Sequence, residues 1–220
     1  MSKTAPFETF AALDAIPWIR HGFIQRVDGI DTKVDRSSAL AALADIHRDT
    51  LSEIGIDPQK SAFIAAEQVH GHRVERVDGN TVSPVPETDG LITVEPGVCL
   101  AIYVADCGPI YLVDRRNRAI GLLHSGKKGT EQNILGAAID RMKTEFGTDS
   151  TDLLAVLGPC IRPPHYDIDF AAAIGRQAHH ARVGEYIDPG TCTASDPQKY
   201  YSYRRELGKT GRLLAVLAIN

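Results

Sequence analysis

The sequence predicts an α+β fold, a layered domain of mixed β-sheets flanked by helices. Three observations carry that expectation. Short apolar runs of strand length, at 98–107 and 153–157, each stop at a Gly-Pro pair. Segments with helical spacing lie between such runs. The two kinds of segment are interspersed without a strict strand-helix-strand rhythm. The length of 220 residues suits one domain, residues 1–220, large enough to bury a core without disulfide staples.

Taken in order, Leu40, Leu43, His47, Leu51 and Ile54 recur on one helical face over 37–54, and Gly55 follows as a C-cap. Residues 62–70, AFIAAEQVH, read as a strand, and the prolines and Gly90 of 81–90 mark a surface loop. The run 98–107, VCLAIYVADC, suits a strand buried on both faces. IYLVD at 110–114 and RAIGLLH at 118–124 read as a hairpin. After the SGKKGT turn, Leu135, Ile139, Met142 and Phe146 predict a helix from about Thr130, with Thr130 as its cap. LLAVL at 153–157 is a short buried strand, and Phe170, Ile174 and Ala178 align on a helix over 169–182. YYSYRR and LLAVLAI read as two final strands.

Composition excludes several classes of function. Against 24 basic residues stand 28 acidic ones, a net charge of −4, so a nucleic-acid partner is not expected. The longest apolar run, Val98 to Ala105, falls far short of the roughly 18–20 residues of a membrane helix, so no membrane partner is expected. MSKTAPFETF has no apolar core of a signal peptide. Four irregularly spaced cysteines, Cys99, Cys107, Cys160 and Cys192, read as reduced and the protein as cytoplasmic. Cys160 is expected to be buried, and His179 and His180 to face solvent.

Chemistry gathers at three strand ends: Gln68-Val69-His70-Gly71-His72, Ala105-Asp106-Cys107-Gly108-Pro109 and His124-Ser125-Gly126-Lys127-Lys128-Gly129. Two imidazoles and a thiolate form a donor set for zinc, and three protein ligands leave a fourth position open. The spacings, 37 and then 17 residues, exclude a zinc finger and suit ligands converging from separate strands. Spacing alone leaves a plainer reading open, since a cysteine after an apolar strand is commonly just a small buried residue. Gly126 and Gly129 flank two lysines ahead of a helix, where backbone N–H groups and Lys127 or Lys128 can hold an anion such as phosphate. Arg26, Arg204 and Arg205 can fork onto a carboxylate or phosphate, or make surface ion pairs.

At these residues the sequence resembles the bacterial laccase-domain proteins, also called polyphenol oxidase or multicopper-oxidase-like proteins and described as purine nucleoside phosphorylases. HGFIQR resembles the family's N-terminal block. EQVHG, TDGLIT, PGVCLAIYVADCGPIYLVD, GLLHSGKKGT, LGPCIRPPHYDI and YYSYRRELGKTGR follow in the family's order. The resemblance implies a mixed α/β fold, with His70, Cys107 and His124 as metal ligands and zinc as the usual ion. It implies a cleft for a purine nucleoside and phosphate, with Arg26, Gln68 and Asp106 in or near it, and Cys107, His124 and Asp106 as the catalytic set. The implied activities are phosphorolysis of adenosine, inosine or methylthioadenosine, adenosine deamination, and in some members editing of peptidoglycan precursors.

Departures from the family pattern fall on the substrate rim. His124-Ser125-Gly126-Lys127-Lys128-Gly129 stands where the family usually has His-Ala-Gly-Trp-Arg-Gly, so Lys127 joins the expected substrate contacts. His47-Arg48 stands where Asn-Arg is common, which places Arg48 in the same expected set. Two other chemistries compete with a zinc nucleoside enzyme. One is a metal-free hydrolase with Cys107 as nucleophile and His124 as base. The other is a copper-dependent phenol oxidase, disfavoured because multicopper oxidases need several H-x-H pairs and this chain has one, His70-Gly71-His72.

Overall fold

The structure, a computed structural model, describes residues 4–220. In chain order the strands are β1 (Phe7–Glu8), β2 (Ile19–Ile24), β3 (Ala62–Ala65), β4 (Val74–Arg76), β5 (Gly90–Thr93), β6 (Val98–Val104), β7 (Gly108–Asp114), β8 (Ala119–Ser125), β9 (Leu153–Leu157), β10 (Glu185–Ile187) and β11 (Leu213–Ile219). The helices are α1 (Ala11–Asp14), α2 (Arg36–Ile54), α3 (Lys127–Glu131), α4 (Ile134–Phe146) and α5 (Phe170–His180). One sheet runs β1-β2-β11-β6-β3 and the other β10-β9-β7-β8-β5-β4. Both are mixed, with parallel pairs at β3/β6, β9/β10 and β4/β5.

Strand periodicity explains the layering. On β7, Tyr111 and Val113 pack with Leu100, Ile102, Leu214 and Val216 of the other sheet, and the Tyr111 hydroxyl donates to the Gly22 carbonyl across the layer at 2.9 Å. The alternate residues Ile110 and Leu112 turn the other way, onto Leu135, Ile139 and Met142 of α4 and Ile174 of α5. Every such strand is buried on both faces, so it reads as a continuous apolar run. Each fully buried leucine or isoleucine contributes roughly 1.5–3 kcal/mol. The other sheet carries α2, whose Ile54 lies against Gly22 of β2 so closely that an added Cβ would stand 2.6 Å from its Cδ1.

The predicted helix over 37–54 is α2. Asp35 caps it by accepting from the Ser38 N–H at 3.0 Å, and Gly55 ends it at φ 87°. The hairpin is β7/β8 in register Gly108↔Ser125 to Asp114↔Ala119, and β9 and β11 match their predicted runs.

Four expectations need correction. The strand over 62–70 ends at Ala65. Gln68 and His70 have φ 67° and 63°, a left-handed backbone that no strand accepts, because the Asp89 carboxylate gathers the N–H groups of Val69, His70 and Gly71. The strand over 98–107 ends at Val104, and Asp106 at φ 85° turns the chain into β7. Thr130 is not a helix cap: α3 already contains it, and its hydroxyl bonds Ser125 at 2.8 Å. Asn133, at φ 57°, breaks the helix and caps α4 by accepting from Gly136. YYSYRR is not a strand. Side chains fasten it instead of a ladder, Tyr200 to Glu8, Tyr201 to Val27 and Ser202 to Asp106.

Candidate metal centre and cleft

The loops that follow β3 and β6 meet the last residues of β8. They bring His70, Cys107 and His124 together with one ligand atom each, all within 4.8 Å of one another. The imidazoles of His70 and His124 meet edge to face at 4.9 Å between centroids. His124 is buried, Cys107 half-buried and His70 exposed, so the cluster opens outward through His70. His72, the other half of the H-x-H pair, turns to Gln132 at 2.7 Å and stays outside.

Asp89 organises the group. Its Oδ1 accepts from His124 Nδ1 at 2.7 Å and from the His70 N–H at 2.9 Å, and its Oδ2 accepts from the Gly71 N–H at 2.7 Å. One buried carboxylate thus sets the backbone of the loop that carries His70 and the ring of His124. With Nδ1 occupied, Nε2 of His124 is the nitrogen left for the cluster. Burial pushes Asp89 up, but hydrogen bonds from His124 and Gly71 outweigh it and hold the carboxyl below its usual range.

Of these donors the Cys107 thiolate carries the charge suited to a cation, and His124 would ligate only after giving up its proton. Burial raises the Cys107 thiol, but the charge and hydrogen bond of His124 and the hydrogen bond of His70 outweigh it and bring it down to about 6. Burial lowers His124, and the Cys107 thiolate and Asp89 together lift it to about 9. A thiolate is the metal-binding form of cysteine. Gly126 leaves the room this sulfur needs, because a Cβ there would stand 2.5 Å from Cys107 Sγ. Gly129 of α3 also packs closely, its missing Cβ 3.0 Å from the Gly71 carbonyl, which brings α3 against the loop that carries His70. Two imidazoles and a thiolate, with one imidazole held by a carboxylate, fit a zinc-type ion.

The cluster opens into a cleft of about 760 Å³. Tyr103, Tyr166, Phe170 and Tyr203 supply aromatic walls, and Arg36, Lys127, Lys128, Arg204 and Arg212 supply cations. Gln68 lines this cleft, with its amide bound to the backbone of Tyr103 in both directions, at 2.5 Å to the carbonyl and 2.9 Å from the N–H. Asp106 lines it too, but its carboxylate accepts from Thr193 at 2.7 Å, Ser202 at 3.0 Å and the Arg204 N–H at 2.7 Å. The bonds from Ser202 and Arg204 fasten the 200–210 turn to the end of β6, and the Thr193 bond ties in a second segment.

The other expected residues divide. Lys127 lines the cleft, with its ammonium 3.0 Å from Glu131 on the same short helix. Arg48 lies outside the cleft, on the exposed side of α2, paired with Asp45 at 2.6 Å. Arg26 also lies outside, ion-paired with Glu206 and stacked 4.3 Å from the Tyr201 ring centroid. Arg205 donates to the Ala194 carbonyl at 3.0 Å. Cys160 is buried, and His179 and His180 are exposed, as expected. Sequence reasoning missed Asp89, whose signal is an acidic residue beside Gly90 at the start of an apolar strand. It also missed Arg36 and Arg212, the second standing directly before the LLAVLAI run.

Fold and cluster together define a two-sheet α/β protein with a His-Cys-His cluster that could hold a metal ion in an open cleft. The chain belongs to the family described as multi-copper polyphenol oxidoreductase laccase, whose profile matches residues 22–182 and 164–220. Among its relatives is purine nucleoside phosphorylase YlmD of Bacillus subtilis, 26% identical, with 72% of this chain and 71% of the relative covered. A purine nucleoside phosphorylase of Deinococcus radiodurans is 28% identical over 91% of this chain and 89% of its own. The crystal structure of YlmD from Geobacillus stearothermophilus shares the fold at TM-score 0.85 and 24% identity, covering 97% of this chain and 98% of that one. Among the described residues no helix is long and apolar enough to cross a membrane.

Proposed function

We propose that the protein is a zinc-dependent purine nucleoside phosphorylase acting in the cytoplasm. The observation that carries this reading is the His70–Cys107–His124 cluster at the base of a cleft walled by tyrosines and rimmed by cations. The names of the relatives support the reaction class.

In phosphorolysis a phosphate oxygen attacks C1′ of the ribose while the C1′–N9 bond breaks and its electron pair leaves with the purine. His70, Cys107 and His124 would hold the zinc, which supplies Lewis acidity to the reacting substrate. The faces of Tyr103 and Tyr166 offer stacking surfaces for the base. Gln68 acts through Tyr103, fixing the backbone that presents this wall, and Asp106 acts through the 200–210 turn. Both are positioning residues. Arg26 and Arg48 do not line the cleft, which gives neither a substrate contact in this reading.

The test is incubation of purified zinc-loaded protein with adenosine, inosine or methylthioadenosine, with and without phosphate. Phosphate-dependent release of adenine or hypoxanthine with ribose 1-phosphate supports the reading. Phosphate-independent inosine from adenosine identifies deamination instead. No product above a Cys107→Ala control overturns both.

One observation favours a second reading. The Cys107 thiol at about 6 beside His124 at about 9 is also the ion pair of a cysteine hydrolase. Hydrolysis of an amide-bearing peptidoglycan precursor by metal-free protein would select it.

A further inference from the structure

Arg212 is 9% exposed and lines the cleft. Its Nη1 donates to the carbonyls of Thr210 at 2.8 Å and Gly211 at 2.9 Å. Among the described residues no carboxylate stands within ion-pair distance of it. A guanidinium this deeply buried is ordinarily paired, because an uncompensated buried charge is costly. Its strongest charged neighbour is another cation, Arg36, whose Nη2 reaches only the Glu67 carbonyl at 3.3 Å.

The remaining cations of the cleft are engaged or open to water. Lys127 pairs with Glu131, the Arg204 guanidinium lies 5.4 Å over the Tyr166 ring, and Lys128 is exposed. Asp106 and Cys107 attract the Arg212 guanidinium from within the cleft, but neither is hydrogen-bonded to it, and the Asp106 carboxylate is turned to Thr193, Ser202 and the Arg204 N–H. Among the described residues, neither cleft guanidinium, that of buried Arg212 or that of Arg36, is ion-paired with a carboxylate.

We propose that Arg212 and Arg36 form an oxyanion seat that takes a phosphate-class dianion, carried by free phosphate or by a nucleotide, beside the His70–Cys107–His124 cluster. The proposal rests on the nucleoside reading for its substrate class. Burial and the charge of Arg36 hold the Arg212 guanidinium below its usual affinity for its proton, the expected state of a cation awaiting an anion. The forked donors of arginine suit a tetrahedral oxyanion. The seat lies with the two arginines, away from the Lys127 turn, because α3 is only five residues long and Lys127 is already paired.

The experiment is calorimetric titration of the zinc-loaded full chain with inorganic phosphate, adenosine 5′-monophosphate and adenosine. Wild type, Arg212→Met and Arg36→Gln are compared. Arg36→Gln is an exposed change and guards against misfolding of the buried variant. The expected result is that the variants weaken an anion about tenfold or more, the scale of a lost charge-assisted contact, and leave adenosine unchanged. If inorganic phosphate responds, the seat holds the free anion. If only the monophosphate responds, it holds the phosphate of the substrate. Anion affinities that Arg36→Gln leaves unchanged, or no anion binding by wild type, overturn the proposal. Arginine-dependent phosphate binding without nucleoside cleavage keeps the seat and removes the phosphorylase reading. Cleavage with a wild-type KM for phosphate in both variants does the reverse.

Discussion

Asp89 Oδ1 lies 2.7 Å from Nδ1 of His124, and the same oxygen accepts the backbone N–H of His70 at 2.9 Å. Two of the three clustered donors therefore share one anchor, buried at the start of β5. Asp89→Asn replaces one acceptor oxygen by a donor and weakens the hold on the His124 ring. Zinc affinity should fall about 10- to 100-fold, the range for losing a carboxylate behind a ligating histidine. Competition with a chromophoric chelator measures it. Unchanged affinity would show that the His124 ring is held by packing alone.

Gly126→Ala should abolish stoichiometric zinc while leaving the secondary structure intact. The new Cβ would stand 2.5 Å from Cys107 Sγ, inside contact distance of a sulfur that needs open space for a metal. Metal analysis by mass spectrometry together with far-UV circular dichroism decides it. Full metal occupancy would mean the ligand loop shifts at little cost.

Stripping the metal should expose a reactive thiol at one position. Cys107 at about 6 is mostly thiolate at neutral pH, whereas burial pushes Cys99 and Cys160 up to about 12. Iodoacetamide should label Cys107 first in the stripped protein. The rate should rise as pH passes up through about 6, and zinc should suppress it. Peptide mapping reads the site, and labelling of Cys107 at the same rate with zinc bound would remove it from the ligand set.

Folding stability should fall on acidification through two buried histidines. Burial lowers His47 to about 4, and it lowers His21 to about 4 against the pull of Asp14. His47 has neither ring nitrogen hydrogen-bonded, and His21 Nε2 accepts from the Phe10 N–H, so both must be neutral in the fold. In the unfolded chain each takes a proton near 6.5. The unfolded state thus binds more protons below that value. Stability is complete above about 6.5 and is lost as pH falls towards 4, by on the order of 3 kcal/mol for each residue. His47→Phe, which keeps an aromatic ring against Tyr103, should flatten the pH dependence of the urea midpoint between 7.5 and 4.5. An unflattened profile would assign the acid sensitivity elsewhere.

Arg48→Ala should leave substrate KM and phosphate affinity within twofold of wild type. Its charge is paired with Asp45 on the solvent side of α2, where such pairs carry little energy. A large rise in KM would require α2 to reorganise on binding.

Much of the fold was legible in the amino-acid order because its central strands are buried on both faces. Continuous apolar runs marked β7, β8, β9 and β11, and apolar spacing with Gly55 marked α2. Strands β1, β2, β4 and β10 escaped, being too short or too mixed to leave a run. The paired glutamine and histidine of the EQVHG block signalled chemistry. Their left-handed backbone did not show, because it is imposed by Asp89 from about 20 residues away. Local pattern thus determined which segments are buried and which residue types stand at the strand ends. The strand-end spacing and the family resemblance already pointed to His70, Cys107 and His124 as one set. Only the tertiary structure decided that Asp89 anchors them, that Arg48 and Arg26 lie outside the cleft, and that Arg212 is buried with no ion-paired carboxylate among the described residues. These are relations between groups distant in sequence, set by sheet packing and Coulomb interaction through the interior, and periodicity along a chain carries no record of them.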